Sequence, residues 1–566
     1  MTEEERVRIV SEEYADLIVD YRYNPRVLEE FDNAIVHIMN EAYAVIHVPV
    51  PDYPWRIVKE YSYSIIPKTY GLTSEISLDA SGVDELRAIP GFDLRGQGVL
   101  IGIVDTGIDY LNPVFLNENG TTKIVSIWDQ TIQSEEGYPF DTYYGTEYVA
   151  DQINLALLSE DPLAIVPSMD FVGHGTMMAG VAAGTENEEV EFVGVAPEAE
   201  LVVVKLKQAK EYLREFYFIP EDVVCYQEND IMWGVQYCIQ VARQLKRPIA
   251  ICLGLGTSQT AHTGFSHLSS FLSILGDFNN VGIVTAVGNE GNLGRHYYGA
   301  IDPDIGYNTV ELNVGEDEGS FHMELWGDFP GVYSIEIYTP GGEFIPRITT
   351  GLRVTREISF IFEQTIIYID FQLVETLTGD QLILFRFENA TPGIWQINVY
   401  GQGDLATGFH IWLPMGNFVS LDTNFIQPNI YTTIVAPGTS IIPITVTAYN
   451  PINDNLYVNA SRGYTRSDDI KPELAAPGVN YIAPSLNNEF ELYTGTGVAA
   501  AHTAGIVALF LEWAVVRGND VGVDTVVIKK FLIRGARRRE FLTYPNRDWG
   551  YGIIDLYNTF DILRGD

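Results

Sequence analysis

The sequence predicts an α/β protein: a parallel sheet with helices on both faces, preceded by a small α/β module and interrupted by an all-β sandwich. Short, largely apolar runs at residues 99–104, 199–204, 248–253 and 282–286 recur with helix-like stretches between them, at 175–183 and 227–245. Strands covered on both faces read as continuous apolar runs, which is the signature of a parallel sheet between helices. From about Asp302 to Phe425 the pattern changes to period-two alternation, as in Tyr333-Ser334-Ile335-Glu336-Ile337-Tyr338, residues 365–374 and Trp395-Gln396-Ile397-Asn398-Val399-Tyr400. Turns such as Pro340-Gly341-Gly342 and Thr391-Pro392-Gly393 separate these strands, so the segment reads as an all-β sandwich. A chain of 566 residues with 46% hydrophobic content exceeds one ordinary core and is rich enough to fill several.

Taken in order, residues 1–70 form the small N-terminal module. They carry a helical-period stretch at 34–39 and a strand-like Tyr43-Ala44-Val45-Ile46-His47-Val48-Pro49, and they end in the loop Ile65-Ile66-Pro67-Lys68-Thr69-Tyr70-Gly71. Residues 71–301 form the first part of the α/β domain and 302–425 the insert. The α/β text resumes over 426–566 and closes in a helix-rich tail. There Lys529, Lys530, Arg534, Arg537, Arg538 and Arg539 cluster, either as the cation-bearing last turn of a solvated helix or as a docking patch for an acidic partner.

Formal net charge is −42, from 34 basic and 76 acidic residues. Such a surface repels nucleic acid and anionic membranes and steers basic partners towards it. Three cysteines, Cys225, Cys238 and Cys252, are too few for a disulfide framework and are expected as free buried thiols. The acidic start Met-Thr-Glu-Glu-Glu-Glu-Arg lacks the apolar core of a signal peptide. No run is expected to approach the roughly 18 apolar residues of a membrane span. The acidic loops lack a calcium-binding spacing, and neither a metal nor a cofactor is expected.

Three separated motifs carry chemistry. Val104-Asp105-Thr106-Gly107-Ile108-Asp109 places a carboxylate at a strand end, where it can orient an imidazole. Gly173-His174-Gly175-Thr176 places a histidine at a helix start, where it can act as a general base. Thr494-Gly495-Thr496-Gly497-Val498-Ala499-Ala500-Ala501-His502 is a strand-to-helix turn. The order and spacing resemble the subtilisin-like (S8) serine proteases, whose triad runs Asp…His…Ser. Here it runs Asp105…His174…Gly497: the nucleophilic hydroxyl is missing.

The resemblance extends to supporting segments. Val287-Gly288-Asn289-Glu290-Gly291 resembles the segment that supplies the oxyanion-hole asparagine, here Asn289. Gly254-Leu255-Gly256-Thr257 resembles the strand that binds substrate backbone, with Gly254 in place of the usual serine, and Ala475-Ala476-Pro477-Gly478 precedes the turn as it does in the family. A finer likeness is to the clostridial spore-germination (Csp) proteases, through Leu94-Arg95-Gly96-Gln97-Gly98, Ser461-Arg462-Gly463-Tyr464-Thr465-Arg466, Ala501-His502 and Trp549-Gly550-Tyr551-Gly552-Ile553.

That likeness implies a prodomain over 1–70, an inserted jelly roll, and a role in signalling to cortex-lytic enzymes in the spore, some members being catalytically dead. The implied partners are other germination proteases or pseudoproteases, a cortex-hydrolase pro-enzyme or a small-molecule germinant. Without its serine the chain is expected not to cut and to keep its prodomain attached. The alternative is an S8 endopeptidase that processes a cortex-hydrolase pro-enzyme and has lost its serine in this chain.

Overall fold

The structure is a computed structural model that describes residues 2–31, 34–51, 57–76, 94–402 and 408–564. Its centre is one sheet of eight strands: β1 (Leu100–Asp105), β2 (Ile124–Asp129), β3 (Thr146–Val149), β4 (Glu200–Lys205), β5 (Ile249–Leu253), β6 (Val281–Ala286), β7 (Ile444–Tyr449) and β8 (Leu474–Pro477). The spatial order is β8-β7-β6-β5-β1-β4-β2-β3, and every pairing is parallel except the edge pair β2–β3.

Alternate residues of one strand feed two cores. Ile101 and Ile103 of β1 pack towards α1 (His174–Ala183) and α3 (Thr496–Leu511). Leu100 and Val104 pack on the opposite face against α2 (Glu228–Leu245). Every residue of α1 and of α3 is buried, which is why these helices are apolar all round rather than amphipathic. The chain reverses direction across the sheet between β1 and β5, and open α/β sheets bind ligands beyond the carboxyl ends of strands at such a switch point.

The apolar helix bears on the membrane expectation. Thr496–Val516 is long and apolar enough to cross a bilayer by length and composition, contrary to the reading that no run approaches that length, yet 89% of its apolar window is buried inside the fold. Its hydrophobicity is spent on the protein core.

Two antiparallel sheets form the insert. Six strands run in the order His296–Ala300, Gly408–Trp412, Phe321–Gly327, Gln381–Glu388, Ile366–Gln372, Arg353–Ser359, and five in the order Phe344–Ile348, Val332–Tyr338, Gly393–Gln402, Tyr307–Val314, Asn424–Phe425. Between them lies a core of Ile335, Ile337, Phe385, Phe387, Trp395 and Ile397, supplied by the inward positions of the alternating strands.

The N-terminal residues fold as a helix, Glu3–Val10, and a three-stranded antiparallel sheet of Tyr14–Asp20, Tyr43–Pro49 and Ile35–Ile38. The helical reading of 34–39 is therefore corrected to a strand. A six-residue window holds too few turns to separate the two periods, and the β-branched pair Ile35-Val36 finds partners at His47 and Ile46.

This module is fixed to the α/β domain by a buried charge cluster. Asp16 accepts from Lys210 Nζ at 2.8 Å, His47 Nδ1 at 2.7 Å and Gln227 Nε2 at 2.6 Å. Burial alone would raise the Asp16 pKa, but the neighbouring Lys210 and His47 hold it far below the usual carboxylate range. Its contribution to stability is therefore full above the ordinary carboxylate pKa and is lost only in strong acid. Asp16→Ala leaves Lys210 buried without its counter-charge and is expected to cost about 3–5 kcal/mol, read as a lowered urea midpoint.

All three cysteines are free and buried. The basic tail cluster is largely engaged on its own surface. Lys529 pairs with Glu473 at 2.9 Å, Arg537 with Asp454 at 3.7 Å, and Arg539 stacks on Trp549 at 4.1 Å.

Candidate functional site: a catalytic turn occupied by its own chain

The residues singled out in the sequence converge at the carboxyl ends of β1, β5 and β6. Asp105 ends β1 and His174 opens α1. The loop before α1 is tied down by Asp170, whose carboxylate accepts from Gly173 N at 2.8 Å and Thr176 N at 3.0 Å. That cap satisfies free amides of the first turn and fixes the imidazole at the helix start. His174 Nδ1 lies 2.7 Å from Asp105 Oδ1, which also accepts from Thr106 N at 2.7 Å. Both side chains are buried, and His174 Nε2 has no hydrogen-bond partner. Gly497 is the second residue of α3. A Cβ built on it would stand 3.5 Å from His174 Nε2, so a serine there would present its hydroxyl to the imidazole.

Residues 69–76, which follow the segment expected from the resemblance to lie near Gly254–Gly256, run through the cleft as an extended strap. Thr69–Leu72 lies between Tyr226–Gln227 and Leu255–Gly256, antiparallel to both. Thr73 N donates to Gly254 O at 3.1 Å and Thr73 Oγ1 to the same oxygen at 2.7 Å. Beyond it, Ser74–Ile76 pairs antiparallel with Phe490–Gly495, Ser74 opposite Gly495. The chain is thus held on both sides of the Thr73–Ser74 peptide bond.

The carbonyl of that bond sits on two donors. Asn289 Nδ2 donates to Thr73 O at 2.8 Å, and Gly497 N donates to the same oxygen at 3.1 Å. Asn289 is itself oriented by Thr496, whose amide and hydroxyl donate to its Oδ1 at 3.2 and 3.1 Å. Two fixed donors aimed at one carbonyl oxygen form the arrangement that stabilises the oxyanion of acyl transfer.

Two glycines have reasons visible only in three dimensions. A Cβ on Gly254 would lie 2.7 Å from Met178 Cε and 3.0 Å from His174 Cε1. Met178 of α1 therefore fills the space in which a serine is expected from the resemblance. A Cβ on Gly497 would lie 2.3 Å from Ser74 Oγ, and that hydroxyl is buried without a partner. The strap's own serine hydroxyl thus occupies the volume that a nucleophile's side chain would take. The assembly can orient an imidazole and polarise a carbonyl, but residue 497 offers nothing that attacks it.

The sequence model of the subtilase (Peptidase S8) family matches residues 96–300 and 388–552, the two stretches that contribute Asp105, His174, Asn289 and Gly497. The chain belongs to the subtilase family. The gap between the matched stretches falls in the all-β insert. Among solved structures, the subtilase is similar to the Clostridium perfringens CspB protease, with 30% identity, a TM-score of 0.75, and coverage of 84% of this chain and 95% of that one. Among curated proteins it is similar to subtilisin-like protease SBT3.8 of Arabidopsis thaliana, 24% identical over 475 residues, or 73% of this chain and 56% of the relative. It is also similar to pyrolysin of Pyrococcus furiosus, 27% identical over 162 residues, or 24% of this chain and 11% of the relative. The subtilase spans at most about half the length of these curated relatives.

Proposed function

We propose that this subtilase is a pseudoprotease that acts by binding, in germination signalling within the spore, as a germinant sensor or as a regulator of a germination protease. The carrying observation is the Thr73 carbonyl, held on Asn289 and Gly497 beside the Asp105–His174 pair, with no nucleophile at residue 497. Residues 1–70, with the strap that follows them, are read as a prodomain that stays covalently attached, and its strap closes the substrate cleft. The likeness to the CspB protease supports the Csp setting. That setting implies other Csp proteins or a cortex-hydrolase pro-enzyme as partners.

A second reading, an S8 endopeptidase deprived of its serine, rests on the retained dyad and the two oxyanion donors. One measurement tests the first reading. The unmodified chain, isolated from its native source, is expected at its full intact mass. A homogeneous product beginning at Ser74 would count against the pseudoprotease reading, since the chain would then be cut at the bond it is supposed to preserve.

A further inference from the structure

Away from the catalytic turn, a small cavity lies where three parts of the chain meet. Tyr63, Ser64 and Lys68 enter it from the segment leading into the strap, Glu228 and His267 from the α/β domain, and Trp326 and Glu375 from the β insert. The space open to the centre of a water-sized sphere is about 30 Å³, which is room for a few non-hydrogen atoms.

Its charges do not balance. One ammonium, Lys68, faces three carboxylates, Glu228, Glu324 and Glu375, and all four groups are buried. The Lys68 ammonium is already spoken for: it donates to Ile66 O at 2.6 Å and Tyr63 O at 3.0 Å, and lies 3.8 Å from the centre of the Tyr63 ring. Glu324 accepts from the Tyr63 hydroxyl and from Trp326 Nε1 at 2.9 Å. Glu375 accepts from the Leu377 and Thr378 amides, each at 2.9 Å. Burial raises the pKa of all three carboxyls, Glu324 to about 7, because a dry site disfavours the charged form.

His267 supplies the second, independent sign. It is 4% exposed, and its Nε2 donates to Ser64 O at 2.8 Å. Burial, with the Lys68 and Arg22 charges adding to it, pushes its pKa down to about 3, so the ring is neutral and Nδ1 carries a bare lone pair. That lone pair has no partner. A buried acceptor left unpaired forfeits the hydrogen bonds it had in water, so the site calls for a donor.

We propose that this junction binds a small protonated amine, either ammonium or an amine of one or two carbons, which donates to His267 Nδ1 and supplies the missing positive charge beside Glu228 and Glu375. Tyr63 and Trp326 add aromatic surface of the kind that attracts cations. Lys68 immediately precedes the strap strand Thr69–Leu72, so occupancy steadies the strap from a point remote from the catalytic turn. The site does not depend on whether the chain cuts.

The test uses the full chain and ethylammonium chloride, with binding followed by calorimetry and thermal shift. Saturable binding and stabilisation are expected, reproduced neither by sodium or potassium chloride at equal ionic strength nor by ethanol. His267→Gln keeps an N–H where Nε2 donates to Ser64 but lacks the Nδ1 acceptor. It is expected to weaken binding about tenfold or more while changing the ligand-free Tm little. Glu375→Gln retains an acceptor oxygen for the Leu377 and Thr378 amides, and the loss of its charge is expected to weaken binding as well. Absence of saturable binding by the unmodified chain, an equal response to potassium chloride, or full affinity in both variants overturns the proposal.

Discussion

Replacing Gly497 with serine is expected to make the chain cut itself between Thr73 and Ser74. The carbonyl to be attacked already rests on Asn289 Nδ2 and the residue 497 amide, at 2.8 and 3.1 Å, and the imidazole that would take the serine proton is already paired with Asp105 at 2.7 Å. Loss of the nucleophile costs about 2 × 10⁶ in kcat in subtilisin, roughly 8–9 kcal/mol of transition-state stabilisation, and restoring it should recover much of that. One local obstacle stands in the way. The new Cβ falls 2.3 Å from Ser74 Oγ, so the Ser74 hydroxyl must rotate aside, a small movement for the end of a short side chain. Gly497→Ser combined with Ser74→Ala should therefore cut faster than Gly497→Ser alone. Mass spectrometry of the purified variants checks both the site and the order of rates. An intact Gly497→Ser/Ser74→Ala chain would show that the geometry around Thr73 is not competent for attack.

Asp105→Asn in that serine-restored background is expected to slow self-cleavage by about 10⁴. Asp105 Oδ1 accepts from the His174 ring at 2.7 Å and from Thr106 N at 2.7 Å, so the carboxylate holds the proton on Nδ1 and leaves Nε2 bare to act as base. Because one oxygen serves both donors, an asparagine that keeps its oxygen there loses the negative charge that stabilises the imidazolium, and one that turns its amide N–H there selects the opposite tautomer, with Nε2 protonated and unable to accept. Rates from a time course of intact and cleaved masses decide the matter. A loss of less than tenfold would mean that His174 does not act as the base in this cleft. The charge-conserving Asp105→Glu separates tautomer from charge, because it keeps an acceptor but displaces it by one methylene.

The parallel sheet, though not its full count of strands, and the all-β insert were readable because each leaves a period in the sequence. Strands covered on both faces, such as Leu100–Asp105, are apolar up to their last residue, and sandwich strands such as Val332–Tyr338 alternate inward and outward positions. Asp105, His174, Asn289 and Gly497 were readable because each sits in a short local motif at a strand end or helix start. The strand Ile35–Ile38 was misread as helical because its pairing with Tyr43–Pro49 is a tertiary fact that a six-residue window does not contain. Thr73 and Ser74 carried no local signal at all. Their importance comes from partners 181 to 424 residues away, at Gly254, Asn289 and Gly497.

By itself the sequence determined that residue 497 has no hydroxyl, and that the carboxylate, the imidazole and the oxyanion donor remain. Those are matters of residue identity, and no fold can alter them. Only the tertiary structure decided what fills the gap: Ser74 Oγ beside Gly497, Met178 in the space next to Gly254, and the Thr73 carbonyl on its two donors. Close packing admits one occupant per volume, and which atom takes the nucleophile's place is settled by how distant segments meet rather than by either segment alone.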